Sequence, residues 1–118
     1  MSFTLPKSER LSGQKAVSAL FEHGKGFTAG CLRCKFVPGV EVSRIVVTVP
    51  KRLFKRAVKR NLLKRRIREA YRHQKELLQA PVDILFIYSA PEVLPYEVIY
   101  ADMTAILLAL NPLKQSDL

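Results

Sequence analysis

Residues 44–88 read RIVVTVPKRLFKRAVKRNLLKRRIREAYRHQKELLQAPVDILFIY, and the changes of pattern within this stretch decide the fold. Residues 44–49, RIVVTV, are rich in β-branched side chains and halt at Pro50, as a strand does. From about residue 55 to 79 apolar residues recur at helical spacing, and Pro81 ends the run. Residues 82–88, VDILFIY, are almost continuously apolar, the pattern of a strand covered on both faces and therefore central in its sheet. The skeleton is strand, long helix, strand.

The flanks complete a small domain around it. Ser12 is placed to cap a helix reaching about residue 22, with Ala16, Val17, Leu20 and Phe21 at helical spacing and Gly24 as terminator. A turn at Gly24 and Gly26 leads into an alternating strand over 29–38, with Leu32, Cys34 and Phe36 on one face and Arg33, Lys35 and Val37 on the other. Residues 39–42 then form a loop, which predicts a hairpin between this strand and 44–49. Downstream, Pro95 suits the first turn of a last helix running to about Leu110, with Val98, Ile99, Ile106, Leu107 and Leu110 as its packing face. The tail from Asn111 is expected to fray. The order helix, strand, strand, long helix, strand, helix makes a two-layer α+β domain, one unit over residues 1–118 with an ordered core about 8–110 and no repeat.

Charge is distributed unevenly over this frame. The 118 residues carry 20 Lys and Arg against 10 Asp and Glu, a formal charge of +10, while 48% are hydrophobic, enough for a real core. Residues 51–75 hold twelve of the basic residues and one acid, Glu69, whereas elsewhere eight basic residues face nine acids. The whole excess therefore sits on the long helix and the turn before it. Such a surface suits an extended polyanion and makes acidic small-molecule metabolism a poor match.

At about 100° per residue, Leu63, Ile67, Ala70, Tyr71, Gln74, Leu77 and Leu78 share one arc, which must pack on the sheet. Asn61, Lys64, Arg65, Arg68, Arg72 and Lys75 fall in the adjacent arc and form a polar stripe several turns long. Helices closed by salt bridges pair Glu with Lys or Arg every three or four residues, and this stripe lacks the acids to do so. Arginine forks match phosphate oxygens, and Asn61 adds a donor and acceptor for a base or ribose edge.

Other chemistries find little support. Cys31 and Cys34 form a lone CxxC without the second pair a closed zinc site requires, and on a strand they would point to opposite faces as small buried hydrophobes. His23 and His73 have no Asp or Glu at ligand spacing, and Asp83 and Asp102 stand isolated in solvated or capping roles, so no protein-borne nuclease or metal centre is expected. No apolar run approaches the roughly 20 residues of a membrane span, and the opening MSFTLPKSERLSG has no signal core, so the expected location is cytoplasmic. A DNA-binding dimer would need a zipper or helix-turn-helix beside the basic stretch. A membrane-surface helix would need the apolar arc that the core claims.

Residues 46–72, VVTVPKRLFKRAVKRNLLKRRIREAYR, resemble the signature of the bacterial ribonuclease P protein component. The opening agrees in order and spacing through Arg10, Leu11, Val17, Leu20, Phe21, Gly24 and Lys25, so the likeness covers nearly the whole chain. Three departures stand out: Leu62 follows Arg60 and Asn61 where the family usually has a second Arg, Val17 occupies a usual aromatic position, and the loop before Ala57 is about one residue long. Arg66 is the candidate to stand in for the missing Arg.

The resemblance implies a protein that binds a large catalytic RNA, ribonuclease P RNA, and with it removes the 5′ leader of precursor tRNA. The RNA, with its Mg2+, carries the chemistry, so no catalytic residue and no protein-bound metal is expected. By position, the RNA-binding helix is Arg60, Asn61, Lys64, Arg65, Arg68 and Arg72, with Lys75 behind them. The leader cleft, between the first helix and a sheet face, is Val17, Phe21, Lys35, Thr48 and Lys51, joined by Arg33. Aromatics stack any base and cations meet any phosphate, which suits leaders of varied sequence. Phe21 could equally serve the core. The family fold implies a left-handed crossover between parallel strands, against the usual rule. A non-catalytic or ribosome-associated RNA-binding protein is the alternative reading of the same basic helix.

Overall fold

The structure is a computed structural model that describes residues 14–38, 43–78 and 80–110. Its elements are α1 (Gln14–His23), β1 (Lys25–Ala29), β2 (Leu32–Pro38), β3 (Arg44–Thr48), α2 (Ala57–Gln74) followed by a 3-10 turn (Lys75–Leu77), β4 (Val82–Tyr88) and α3 (Tyr96–Ala109). Ser12, the 39–42 loop and the tail from Asn111 lie outside the described residues.

One sheet has the order β1-β2-β4-β3, with β1/β2 and β2/β4 antiparallel and β3/β4 parallel. The expected hairpin between the strands at 29–38 and 44–49 does not form. β4 lies between them, because its run is buried on both faces and needs a neighbour on each side. What does form a hairpin is β1 with β2. Gly26 lies within β1 instead of in a turn, and Ala29 ends β1, so β2 starts three residues later than the alternation predicts. The actual turn is Gly30–Cys31, where Gly30 takes φ +57, a conformation that strongly favours glycine.

On one sheet face Leu32, Cys34, Phe36, Ile45, Val47, Ile84, Phe86 and Tyr88 form the main core with Leu63, Ile67, Ala70 and Tyr71 of α2 and Ile99, Met103, Ile106 and Leu107 of α3. Burying side chains of this size stabilises by about 1.5–3 kcal/mol each. The α2 arc is as the periodicity predicts. On α3, Val98 is 40% exposed and Met103 takes its place, one turn from Ile99 and from Ile106. Pro95 is the residue before the helix, with extended ψ 156, instead of part of its first turn.

The long helix is shorter than the 55–79 reading at both ends. Before Ala57, Leu53 and Phe54 donate their N–H groups to Pro50 O (3.1 and 3.3 Å), a turn that places Phe54 against Tyr88 with ring centroids 5.8 Å apart. At the far end Gln74 is buried: its Nε2 donates to Tyr100 O (3.0 Å) and Ala70 O (3.3 Å), while its Oε1 accepts from Thr104 Oγ1. This polar link fastens α2 to α3 where the chain tightens into the 3-10 turn.

Among the described residues the opposite sheet face carries only α1, whose Leu20 packs on Leu85 with Val37, Val46 and Ile87 around it. The two-layer core thus has a single short helix behind it. That helix covers part of the second face and leaves the rest open.

Candidate nucleic-acid interface

The strand registers define the open face. Thr28 pairs with Arg33, Arg33 with Ile87 and Ile87 with Thr48, so one row of side chains crosses all four strands. At about 4.8 Å per strand the row is roughly 14 Å long. The next row, Gly26–Lys35–Leu85–Val46, runs under α1, where Leu20 seals Leu85. The third contains Val37, Asp83 and Arg44. There Arg44 donates to both carboxylate oxygens of Asp83 (3.2 and 3.0 Å), which holds the guanidinium more firmly protonated and neutralises the one acid this face carries in its strands.

Phe21 stands at the edge of the open row. Its neighbour Leu20 is 3% exposed and Phe21 is 57% exposed, so the two successive residues divide between core and surface. The Lys35 ammonium lies 5.9 Å from the Phe21 ring centroid, at the outer limit of a cation–π contact. Val17, one turn earlier, is half-buried. The close seat of α1 depends on Gly24: a Cβ there would meet Leu20 O at 2.5 Å and the Lys35 Cβ at 3.2 Å.

Of the residues the sequence assigns to the cleft, Arg33, Lys35 and Thr48 share this face in two adjacent rows, with Phe21 against Lys35. Lys51 is exposed in the turn that leaves β3, three residues beyond Thr48. The sequence reading misses β1's contribution. A cavity of about 430 Å3 opens at the β1 end of the row, lined by Gly26, Phe27, Thr28, Arg33, Cys34, Lys35 and Ile87. Two cations, a hydroxyl and an aliphatic floor line it, and no acid does.

The second cationic surface is α2. Asn61, Arg65 and Arg68 are exposed, and Lys64 and Arg72 are half-buried. Arg60 is partly committed to the fold, its Nη1 donating to Phe54 O and Lys55 O (both 2.8 Å) and so holding the turn against the helix. Arg66, the candidate to stand in for the residue missing at Leu62, is likewise tied to the fold. Its Nη1 donates to Leu94 O (2.7 Å), fixing the loop before α3, which Tyr88 Oη also holds by donating to Glu92 O and accepting from Leu94 N–H.

Glu69 does meet partners: His73 Nε2 lies 2.9 Å and Arg72 3.8 Å from its Oε1, so His73 has an acid one turn away after all, and the C-terminal end of the stripe is partly neutralised. His23 likewise has Glu22 at 3.8 Å. Among the described residues no group of three or more His, Cys, Asp or Glu could hold a metal.

Asp102 and the cysteines are structural. Asp102 Oδ2 accepts the Cys31 N–H at 2.9 Å, clamping the β1–β2 turn to α3. Cys31 and Cys34 share one core instead of facing opposite ways, because Cys31 sits in the turn and not on the strand. Burial pushes the Cys31 thiol up to about 12, with the Asp102 carboxylate adding to it, and burial lifts Cys34 to about 11. Both are protonated and unreactive near neutrality. No helix among the described residues is long and apolar enough to cross a membrane.

The site belongs to a small four-stranded α+β domain with one cationic helix face and one cationic, partly open sheet face. The chain belongs to the ribonuclease P protein family: the family model described as Ribonuclease P matches residues 5–111. It is similar to the ribonuclease P protein component of Porphyromonas gingivalis, 41% identical over 92 residues that cover 75% of this chain and 67% of that one. The corresponding protein of Desulfatibacillum aliphaticivorans is 40% identical over 84 residues, 70% of each chain. In fold it matches the RNase P protein from Thermotoga maritima, with a TM-score of 0.76 at 24% identity over 86% of this chain and 96% of the other. The Staphylococcus aureus RNase P protein gives 0.75 at 22% identity, covering 86% and 94%.

Proposed function

We propose that this chain binds the RNA subunit of ribonuclease P along the outward face of α2 and holds the single-stranded 5′ leader of precursor tRNA on the open sheet face. Together protein and RNA remove the leader, and the RNA with its Mg2+ supplies the reacting groups. The observation that carries this reading is the segregation of charge. The apolar arc of α2 is spent on the core, which leaves Asn61, Arg65 and Arg68 exposed and Lys64 and Arg72 half-buried beside them, a stripe that can follow a phosphate backbone. Arg60 contributes from its tethered position at the helix start.

The leader assignment rests on Phe21, too exposed to serve chiefly as core, set beside Lys35 and a row that offers Arg33 and Thr48. Val17, one turn before Phe21 on α1, and Lys51, exposed in the turn after β3, complete the proposed cleft. A base can stack on Phe21 while cations meet the flanking phosphates, which asks nothing of the leader's sequence. The protein's part is to bind and position; proton transfers and bond cleavage take place on the RNA side.

Cleavage of a 5′-labelled precursor tRNA at low magnesium tests the proposal, with ribonuclease P RNA alone, this protein alone, and both. Efficient cleavage at the mature 5′ end only in the mixture is the expected result. A mixture no better than the RNA alone overturns the proposal and leaves a non-catalytic RNA-binding protein. Binding to the RNA should weaken with salt along a log–log slope of about −3.5 to −4.5, for roughly five neutralised phosphates. A slope near zero would remove α2 from the interface.

A further inference from the structure

We propose that the cavity at the β1 end of the open row is a one-nucleotide subsite that extends the leader track beyond Phe21 and Lys35, and that Gly26 keeps it open. The proposal rests on the leader reading above and deepens it. Its first support is continuity: Arg33 and Ile87 belong both to the row that crosses the sheet and to the cavity wall, so a strand lying along the row from Thr48 reaches the cavity without leaving the surface.

The second support is chemistry. Arg33 and Lys35 stand two residues apart on one face of β2, about 6.8 Å along the strand, and present two cations to a backbone passing over them. Arg33 stands between Thr28 on one side and Ile87 on the other: the Ile87 side chain is apolar and suited to the face of a base, while the Thr28 hydroxyl can meet a base or ribose edge. A volume of about 430 Å3 with no acidic lining accommodates a single anionic nucleotide.

The third support is Gly26. It pairs with Lys35, so any side chain placed there would rise from this same face and into the cavity. Nothing in the fold requires glycine at this position. Its φ is not positive, and a Cβ would meet only Cys34 O at 3.8 Å and Lys35 Cε at 4.0 Å, ordinary contact distances. Gly24 and Gly30 differ, since an added Cβ would collide at 2.5 and 2.3 Å. The absence of a side chain at Gly26 therefore serves the cavity and not the backbone.

The test is a leader-length series on the reconstituted holoenzyme, with precursor tRNAs carrying leaders of one to ten nucleotides and kcat/KM measured for wild type, Gly26→Leu and Thr28→Val. Wild type is expected to gain with each added nucleotide until the track is full. Gly26→Leu should match wild type on the shortest leader and fall about tenfold below it on long ones, the loss appearing at one step of the series. Thr28→Val, which keeps the side chain's shape and removes its hydroxyl, should lose part of the same step and covers the case in which Gly26→Leu fails to fold. Variants that follow wild type at every length would overturn the subsite while leaving the leader reading intact, and so would an equal loss at every length. If wild type itself gains nothing from a longer leader, the leader reading fails and the subsite with it.

Discussion

Leu20 and Phe21 are adjacent on α1 and both apolar, yet truncating them should produce opposite phenotypes. Leu20 is 3% exposed and packs on Leu85, so Leu20→Ala removes buried methyl groups and leaves a cavity that the sheet cannot fill, a loss of about 3 kcal/mol. Phe21 is 57% exposed, and the share of its surface that is covered is worth about 1 kcal/mol, with at most roughly 0.5 more from the Lys35 ammonium 5.9 Å from its ring. With a urea slope of about 1.5 kcal/mol/M, typical of a small domain, Leu20→Ala should lower the midpoint by about 2 M and Phe21→Ala by no more than about 1 M. Circular dichroism during urea titration reads both. The order should then reverse in function. At a temperature where both variants are folded, Phe21→Ala should cleave leader-bearing precursor poorly with ribonuclease P RNA, while Leu20→Ala should approach wild type. A Phe21→Ala midpoint as low as that of Leu20→Ala would return Phe21 to the core and refute the division on which the cleft reading depends.

Two arginines one residue apart on α2 should separate in the same way. Arg66→Ala removes the donor to Leu94 O and should cost about 1–2 kcal/mol in chemical denaturation, with little direct effect on RNA affinity under native conditions, whereas Arg65→Ala, at an exposed position, should leave stability within about 0.5 kcal/mol and weaken RNA binding and its salt slope. Gly30→Ala should destabilise by more than about 2 kcal/mol, because φ +57 and a Cβ 2.3 Å from Asp102 Oδ2 act together; a thermal melt within a degree of wild type would contradict the clamp. The buried thiols should resist a thiol reagent at pH 8 until denaturant is added. Their raised pKa values, about 12 and 11 against an ordinary 9.0, mean that the unfolded chain loses these protons first. Stability should therefore be level below pH 9 and fall as pH rises from 9 toward 11–12, and the fall should be shallower in Cys34→Ala.

Much of this was legible one residue at a time. Local pattern located α2, β4 and α3 to within a few residues, because helical and strand periodicities are properties of neighbouring side chains and need no knowledge of what packs on them. The basic stripe was equally visible, since charge and helical angle are both written in the chain. The family signature over 46–72 supplied the partner that no periodicity could.

Other features required the fold. The β1 strand escaped notice because KGFTA carries Gly26 directly behind Gly24 and has little apolar content, and it becomes a strand only by borrowing β2's backbone donors and acceptors. Which strands pair is a question of long-range burial, so the presumed hairpin gave way to β4. Arg60 and Arg66 look like any other cations of the stripe until the carbonyls they tether, in turns outside the helix, come within 2.8 and 2.7 Å.

The amino-acid sequence by itself determined the elements other than β1, the inward and outward faces of α2 and the concentration of charge there, since these depend on spacing along one chain. Only the tertiary structure decided that Thr28, Arg33, Ile87 and Thr48, drawn from four strands, form one row, that Gly26 leaves a cavity beside it, and that α1 stops short of covering both. Register between strands is set by how buried faces match across the sheet, and that matching exists only once the chain has folded.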